Sequence, residues 1–112
     1  MDVSDRELRL QRIYLEALPG RLEEIQQGFN NLFSTDVEEK ALFTLYRMVH
    51  NLAGSSATYG FELIGDKAKE MEVWLESFVD TKTQLLVNDK LTFSAFMGDL
   101  KQLAKQSIHS DE

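Results

Sequence analysis

Apolar residues recur at helical spacing along most of the chain, and no segment shows the two-residue alternation and turn chemistry of a hairpin. The first stripe runs from about Ser4 to Phe33 through Leu8, Leu15, Leu18, Leu22, Ile25, Phe29 and Leu32 at steps of three, four or seven. It keeps phase across Pro19-Gly20, although a proline removes one helical hydrogen bond and crowds the preceding turn. The pattern therefore predicts one kinked helix or two nearly coaxial ones. Asp36 with Glu39 three residues on resembles a capping box opening a second helix. That helix is expected to end at Thr58 or Tyr59, with Gly60 as the stop. A third stripe, Phe61, Ile64, Ala68, Met71, Leu75 and Phe78, predicts a helix starting near Phe61. Residues 80–90 read as a connection, from which Leu85, Leu86 and Val87 are candidates to dock onto the core. The last helix is expected over about Lys90–Ser107, with Phe93, Phe96, Met97, Leu100, Leu103 and Ala104 inward and a polar, fraying tail to Glu112. Four amphipathic helices with short connections predict an all-α, antiparallel four-helix bundle.

The chain has 112 residues, enough for one domain over 1–112 and one core, with 1–3 and 108–112 as loose ends. Lys and Arg number 12 against 19 Asp and Glu, a formal balance of −7. An acidic surface repels phosphate backbones and anionic lipid, which disfavours nucleic-acid and direct membrane partners. With no cysteine, thiolate metal sites, disulfides and cysteine nucleophiles are excluded. No apolar run of membrane-spanning length occurs, and Met1–Leu10 is charged rather than signal-like.

Candidate chemistry lies on the second helix. At 100° per residue, Leu42, Leu45, Val49, Leu52, Ser56 and Tyr59 form its core face. His50 points roughly 130° away from that direction and is expected to be exposed. Phe43 and Arg47 precede it on the same side, and Gly54 and Ala57 follow, with Ala53 at the edge. A glycine inside a helix costs about 1 kcal/mol relative to alanine. Gly54 thus carries a local cost, and close approach of something to the backbone is one explanation. A lone surface histidine is most often only a solvated side chain. Phe43 is either an exposed docking contact or folded under the first helix.

The local string His50-Asn51-Leu52-Ala53-Gly54-Ser55-Ser56, with Gly60 ten residues after the histidine, resembles the histidine-containing phosphotransfer (HPt) domain of multistep phosphorelays. That family's motif is close to His-x-Leu-Lys-Gly-Ser/Ala-Ser/Ala-x-x-x-Gly, and His50, Leu52, Gly54, Ser55, Ser56 and Gly60 match it. The resemblance covers essentially the whole chain. It implies that His50 accepts a phosphoryl group from a receiver-domain aspartate, with Nε2 as the nucleophilic nitrogen, and passes it to another. It implies a domain without a bound cofactor or ATP-dependent kinase activity, with Mg²⁺ on the receiver. Partners would be receiver domains of response regulators or a hybrid sensor histidine kinase. The domain would be monomeric and cytoplasmic, either free-standing or attached to a membrane-bound kinase. A chemotaxis-kinase phosphorylation domain would share the nucleophile. A non-catalytic four-helix adaptor is the alternative from another class.

One departure from the motif is Ala53, where many members have a lysine thought to help hold the phosphoryl group. Two cations are candidates to replace it. Arg47 lies three residues before His50 on the same helix. Lys69 lies on a flank of the third helix with Gly65, Glu72 and Glu76, and by the resemblance Gly65, Lys69 and Glu72 border the docking face. A polar residue at the Glu72 position lies near the histidine in the family.

Competing chemistries are weaker. Ser55 is about 140° round the helix from His50 and Ser56 is on the core face, so a serine–histidine hydrolase pair is not formed. The Gly-Ser-Ser run reads instead as a close-packing device. Arg47 stands where a bundle di-metal motif needs an acid, and His109 lies in the tail.

Overall fold

The computed structural model describes residues 4–34, 40–81 and 84–109. Four helices are formed: α1 (Asp5–Asn31), α2 (Ala41–Thr58), α3 (Glu62–Thr81) and α4 (Val87–His109). Consecutive helices pack on one another, and α1 also packs on α4, which closes an antiparallel square about 50 Å long and 20 Å wide.

Helix α1 starts where Ser4 Oγ accepts the Glu7 N–H at 3.1 Å, an N-cap supported by Asp5 and Glu7 in the first turn. It runs through Pro19 as one helix. Pro19 faces solvent, and Leu15, Leu18 and Leu22 on either side of it are buried, so packing on both flanks offsets the lost hydrogen bond. Leu8 fits the stripe by phase but is 48% exposed. Tyr14, absent from the predicted stripe, is buried instead and stacks between Tyr59 and Phe61. Gln11 donates to the Tyr59 carbonyl at 2.8 Å, which ties this part of α1 to the end of α2.

Helix α2 begins at Ala41 without a side-chain cap on Lys40, and the expected capping pair Asp36 and Glu39 lies outside the described residues. Its other end is as predicted. Gly60 takes φ +88°, the Phe61 N–H donates to the Ser56 carbonyl at 2.8 Å, and the Gly60 N–H donates to Ala57 at 3.1 Å. This Schellman arrangement needs a residue in the left-handed region, where glycine has no Cβ penalty. Helix α4 starts earlier than Lys90. The Asp89 carboxylate accepts the Leu86 N–H at 2.6 Å and caps a helix beginning at Val87. Of the three residues expected to dock, Leu85 is buried, whereas Leu86 and Val87 are exposed. The helix also continues past Ser107 to His109, and 110–112 lie outside the described residues.

Phe29 stacks on Phe93 at 3.7 Å between centroids and joins α1 to α4. Leu45, Val49 and Leu52 of α2 meet Ile64, Ala68, Met71 and Leu75 of α3 in the fully buried centre. Burying each Leu- or Val-sized side chain contributes about 1.5–3 kcal/mol. Among the described residues, no helix is long and apolar enough to cross a membrane.

Candidate functional site

Because Leu45, Val49, Leu52 and Ser56 claim the inward face of α2, His50 is left on the outside, with its side chain 60% exposed. It does not stand alone. Glu72 of α3 lies across the α2–α3 seam and is buried, and its Oε2 is 2.9 Å from His50 Nδ1. A carboxylate only accepts, so Nδ1 carries the proton in the neutral ring and Nε2 keeps a free lone pair.

Two further donors converge on Glu72. Lys69 Nζ donates to the same Oε2 at 3.4 Å, and the Tyr46 hydroxyl reaches it at 3.5 Å while donating to Glu76 Oε2 at 3.2 Å. Burial raises the Glu72 carboxyl, but the hydrogen bonds from His50 and Lys69 and the charges behind them outweigh it and hold the group below its ordinary value. Glu72 is therefore a carboxylate at neutral pH. Tyr46 is pushed the other way, by burial first and then by Glu76 and Glu72, so its phenol keeps its proton and remains a donor. The Tyr46 ring lies 6.3 Å from the imidazole at an interplanar angle of 25° and walls one side of it.

The other side of His50 opens into a shallow groove of about 280 Å³ between α2 and α3. Its floor is made of small residues, Ala53, Gly54, Ala57 and Gly65, and its polar rim is His50, Lys69 and Glu72 with Asp66. The two glycines differ in role. A Cβ at Gly65 would stand 3.3 Å from both the Ala53 carbonyl oxygen and the Ala57 nitrogen, so Gly65 is buried at the closest approach of the helices. It is a buried part of the groove's floor. A Cβ at Gly54 would meet nothing within 4 Å. The fold makes no demand for glycine there, and the backbone is open from outside.

The remaining predicted residues divide by position. Ala53 is buried beneath the groove and Leu52 is in the core. Arg47 is exposed and, among the described residues, its side chain makes neither a hydrogen bond nor an ion pair. Phe43 is exposed, with its ring 6.1 Å from Tyr46, and is not folded under α1. Ser55 and Ser56 face α1, where both hydroxyls bond to Tyr14 Oη, at 2.9 and 2.6 Å, and Arg21 donates to Ser55 at 2.8 Å. They fasten α2 to α1 on the side away from the imidazole. Among the described residues, no group of three histidine or acidic side chains is placed to hold a metal ion.

Tyr46, Tyr14 and Arg21 escaped the sequence reading. Tyr46 had a signal, its position one turn before His50. Tyr14 had one too, four residues before Leu18. Arg21 had none, since a part-buried arginine on α1 finds its serine partner 34 residues away.

No curated protein and no solved structure gives a significant match to the chain. A family model described as the Hpt domain matches residues 9–107. The match takes in α2 and α3 entirely and most of α1 and α4, and so both walls of the groove and the exposed imidazole. The chain belongs to the Hpt domain family, the histidine phosphotransfer modules of phosphorelays, whose partners are receiver domains.

Proposed function

We propose that His50 accepts a phosphoryl group from the aspartyl phosphate of one receiver domain and delivers it to the aspartate of another. The observation that carries this reading is the 2.9 Å contact between His50 Nδ1 and the buried Glu72 carboxylate. It leaves Nε2 as the unprotonated nitrogen on an exposed ring. The Nε2 lone pair forms the N–P bond as the P–O bond breaks, and the departing electron pair returns to the aspartate carboxylate. The ring then carries positive charge, which Glu72 stabilises through Nδ1–H. Phosphoryl transfer of this kind depends on positioning and electrostatics. The bundle supplies a nucleophile at a set height and orientation, and the receiver supplies Mg²⁺ and the acidic pocket.

The receiver docks over the groove, where Ala53, Gly54 and Ala57 offer a low floor and Gly65 supports it from below. Exposed Phe43 extends the contact surface on the other side of the imidazole. The domain works as a monomeric, cytoplasmic carrier, free or attached to a hybrid sensor kinase. It binds no cofactor of its own.

The test is transfer from a receiver prelabelled on its aspartate, with Mg²⁺ present, to the wild type and to His50→Gln. An acid-labile, base-stable adduct on the wild type and none on the variant supports the carrier. A folded wild type that binds receivers yet takes no label from any of a panel would replace this reading with a non-catalytic adaptor.

A further inference from the structure

We propose that Lys69 is the cation that holds the phosphoryl group on His50, supplied across the groove from α3 rather than from the histidine's own helix. This rests on His50 as the phosphorylated residue.

A phosphoryl group brings roughly two negative charges at neutral pH. Here it arrives on a chain of formal charge −7, beside Glu72, Glu76 and Asp66. The imidazolium and Glu72 offset each other, so the new charge needs a further cation. Helix α2 offers none in the groove, because position 53 is a buried alanine and Arg47 does not line it. Lys69 is the one cation lining the groove among the described residues. Its Nζ and His50 Nδ1 share a single acceptor, Glu72 Oε2, at 3.4 and 2.9 Å. Glu72 thus tethers the ammonium next to the ring while the lysine side chain stays 62% exposed at the groove mouth. An ammonium has three protons, and one bond to Glu72 leaves two for phosphoryl oxygens. The long bond and the flexible stem let Nζ swing outward toward Nε2 without leaving the site. Lys67, two residues away, is differently placed. It is held by Glu70 at 3.2 Å and Asp99 at 3.5 Å, outside the groove.

The test uses phosphoramidate as the donor, so no receiver is needed. The Nε2 lone pair forms the N–P bond as the donor's P–N bond breaks and ammonia leaves. The phosphohistidine ³¹P resonance, assigned by its loss in His50→Gln, is followed against pH in the wild type, Lys69→Ala, Lys69→Arg and Lys67→Ala. Near neutral pH the resonance follows the ring proton of the phosphorylated histidine; a cation held on the phosphoryl oxygens opposes that added charge, so its removal raises the titration midpoint. Lys69→Ala is expected to raise it by about 0.5 unit. Lys69→Arg restores it and Lys67→Ala leaves it in place. Equal midpoints in the wild type and Lys69→Ala, or the same rise in Lys67→Ala, would overturn the assignment. Failure of receiver transfer would show separately, because this measurement supplies the phosphoryl group directly.

Discussion

His50 and Glu72 meet at 2.9 Å from opposite environments: the imidazole side chain is 60% exposed and the carboxylate 4%. In the proposed transfer, the nucleophile must be reachable and the group that sets its tautomer must not be drawn off by water. Placing one on the outer face of α2 and the other in the α2–α3 seam meets both needs. The seam is narrow enough for this because Gly65 allows α3 to close on Ala53 and Ala57.

Removing the carboxylate should cost transfer and leave the fold intact. A hydrogen bond involving a charged group contributes about 1.5–3 kcal/mol. Expressed wholly in the reactive tautomer, that is about 10–140-fold in rate. Glu72→Ala is expected to lose that much in single-turnover transfer from a labelled receiver. Glu72→Gln keeps an oxygen acceptor for Nδ1–H and should fall between. Equal rates for Glu72→Ala and the wild type would remove Glu72 from the mechanism.

Tyr46→Phe keeps the ring beside the imidazole and deletes the hydroxyl bonds to Glu76 and Glu72. Glu72 then loses a donor and gains freedom to turn. The expected result is a smaller Nδ1–H population in ¹⁵N spectra of His50 and a transfer rate lower by about two- to fivefold, the worth of roughly 0.5–1 kcal/mol. An unchanged tautomer balance would make Tyr46 a packing residue only.

The two groove glycines should respond to alanine with opposite signs. Gly65→Ala pushes a methyl against backbone atoms at 3.3 Å, which cannot move aside as a side-chain tip would. Overpacking there should cost about 1–3 kcal/mol, less the up to about 1 kcal/mol of helix propensity gained. Gly54→Ala meets nothing and should stabilise the domain by about 0.5–1 kcal/mol. Urea unfolding reads both. Gly54→Leu should remain folded and block receiver transfer, and full activity in that variant would mean that no partner approaches this backbone.

Acid should weaken the α2–α3 seam through Glu72. Its folded pKa lies below the ordinary 4.5, held there by His50 and Lys69 against the effect of burial. A depressed carboxyl contributes stability above its unfolded pKa and loses it as pH falls through the folded value. Unfolding midpoints measured from pH 6 downward should therefore drop once the ordinary carboxyl range is entered. In Glu72→Gln that part of the slope should be missing. Parallel acid limbs for the two proteins would contradict the assignment.

The second helix shows how much of this site was legible from residue order. One period of 3.6 residues placed Leu45, Val49, Leu52 and Ser56 inward and His50 outward, and the Gly54 and Gly60 spacing carried the family resemblance. The same reasoning failed at Leu8, whose phase matches the core stripe although the side chain is exposed. It also started α4 too late, since the Asp89 cap adds a first turn without apolar periodicity.

Residue order alone specified the set of helices, the face each one buries and the exposure of His50, because these depend on interactions within a few residues. The packing of α2 against α3 is what makes Glu72 the partner of Nδ1, lets Lys69 share its oxygen while Arg47 stands apart, and sets Gly65 beneath the groove. Those relationships join residues 8 to 22 positions apart on neighbouring helices. They depend on how closely α2 and α3 cross and at what register, and helical periodicity is the same for every register.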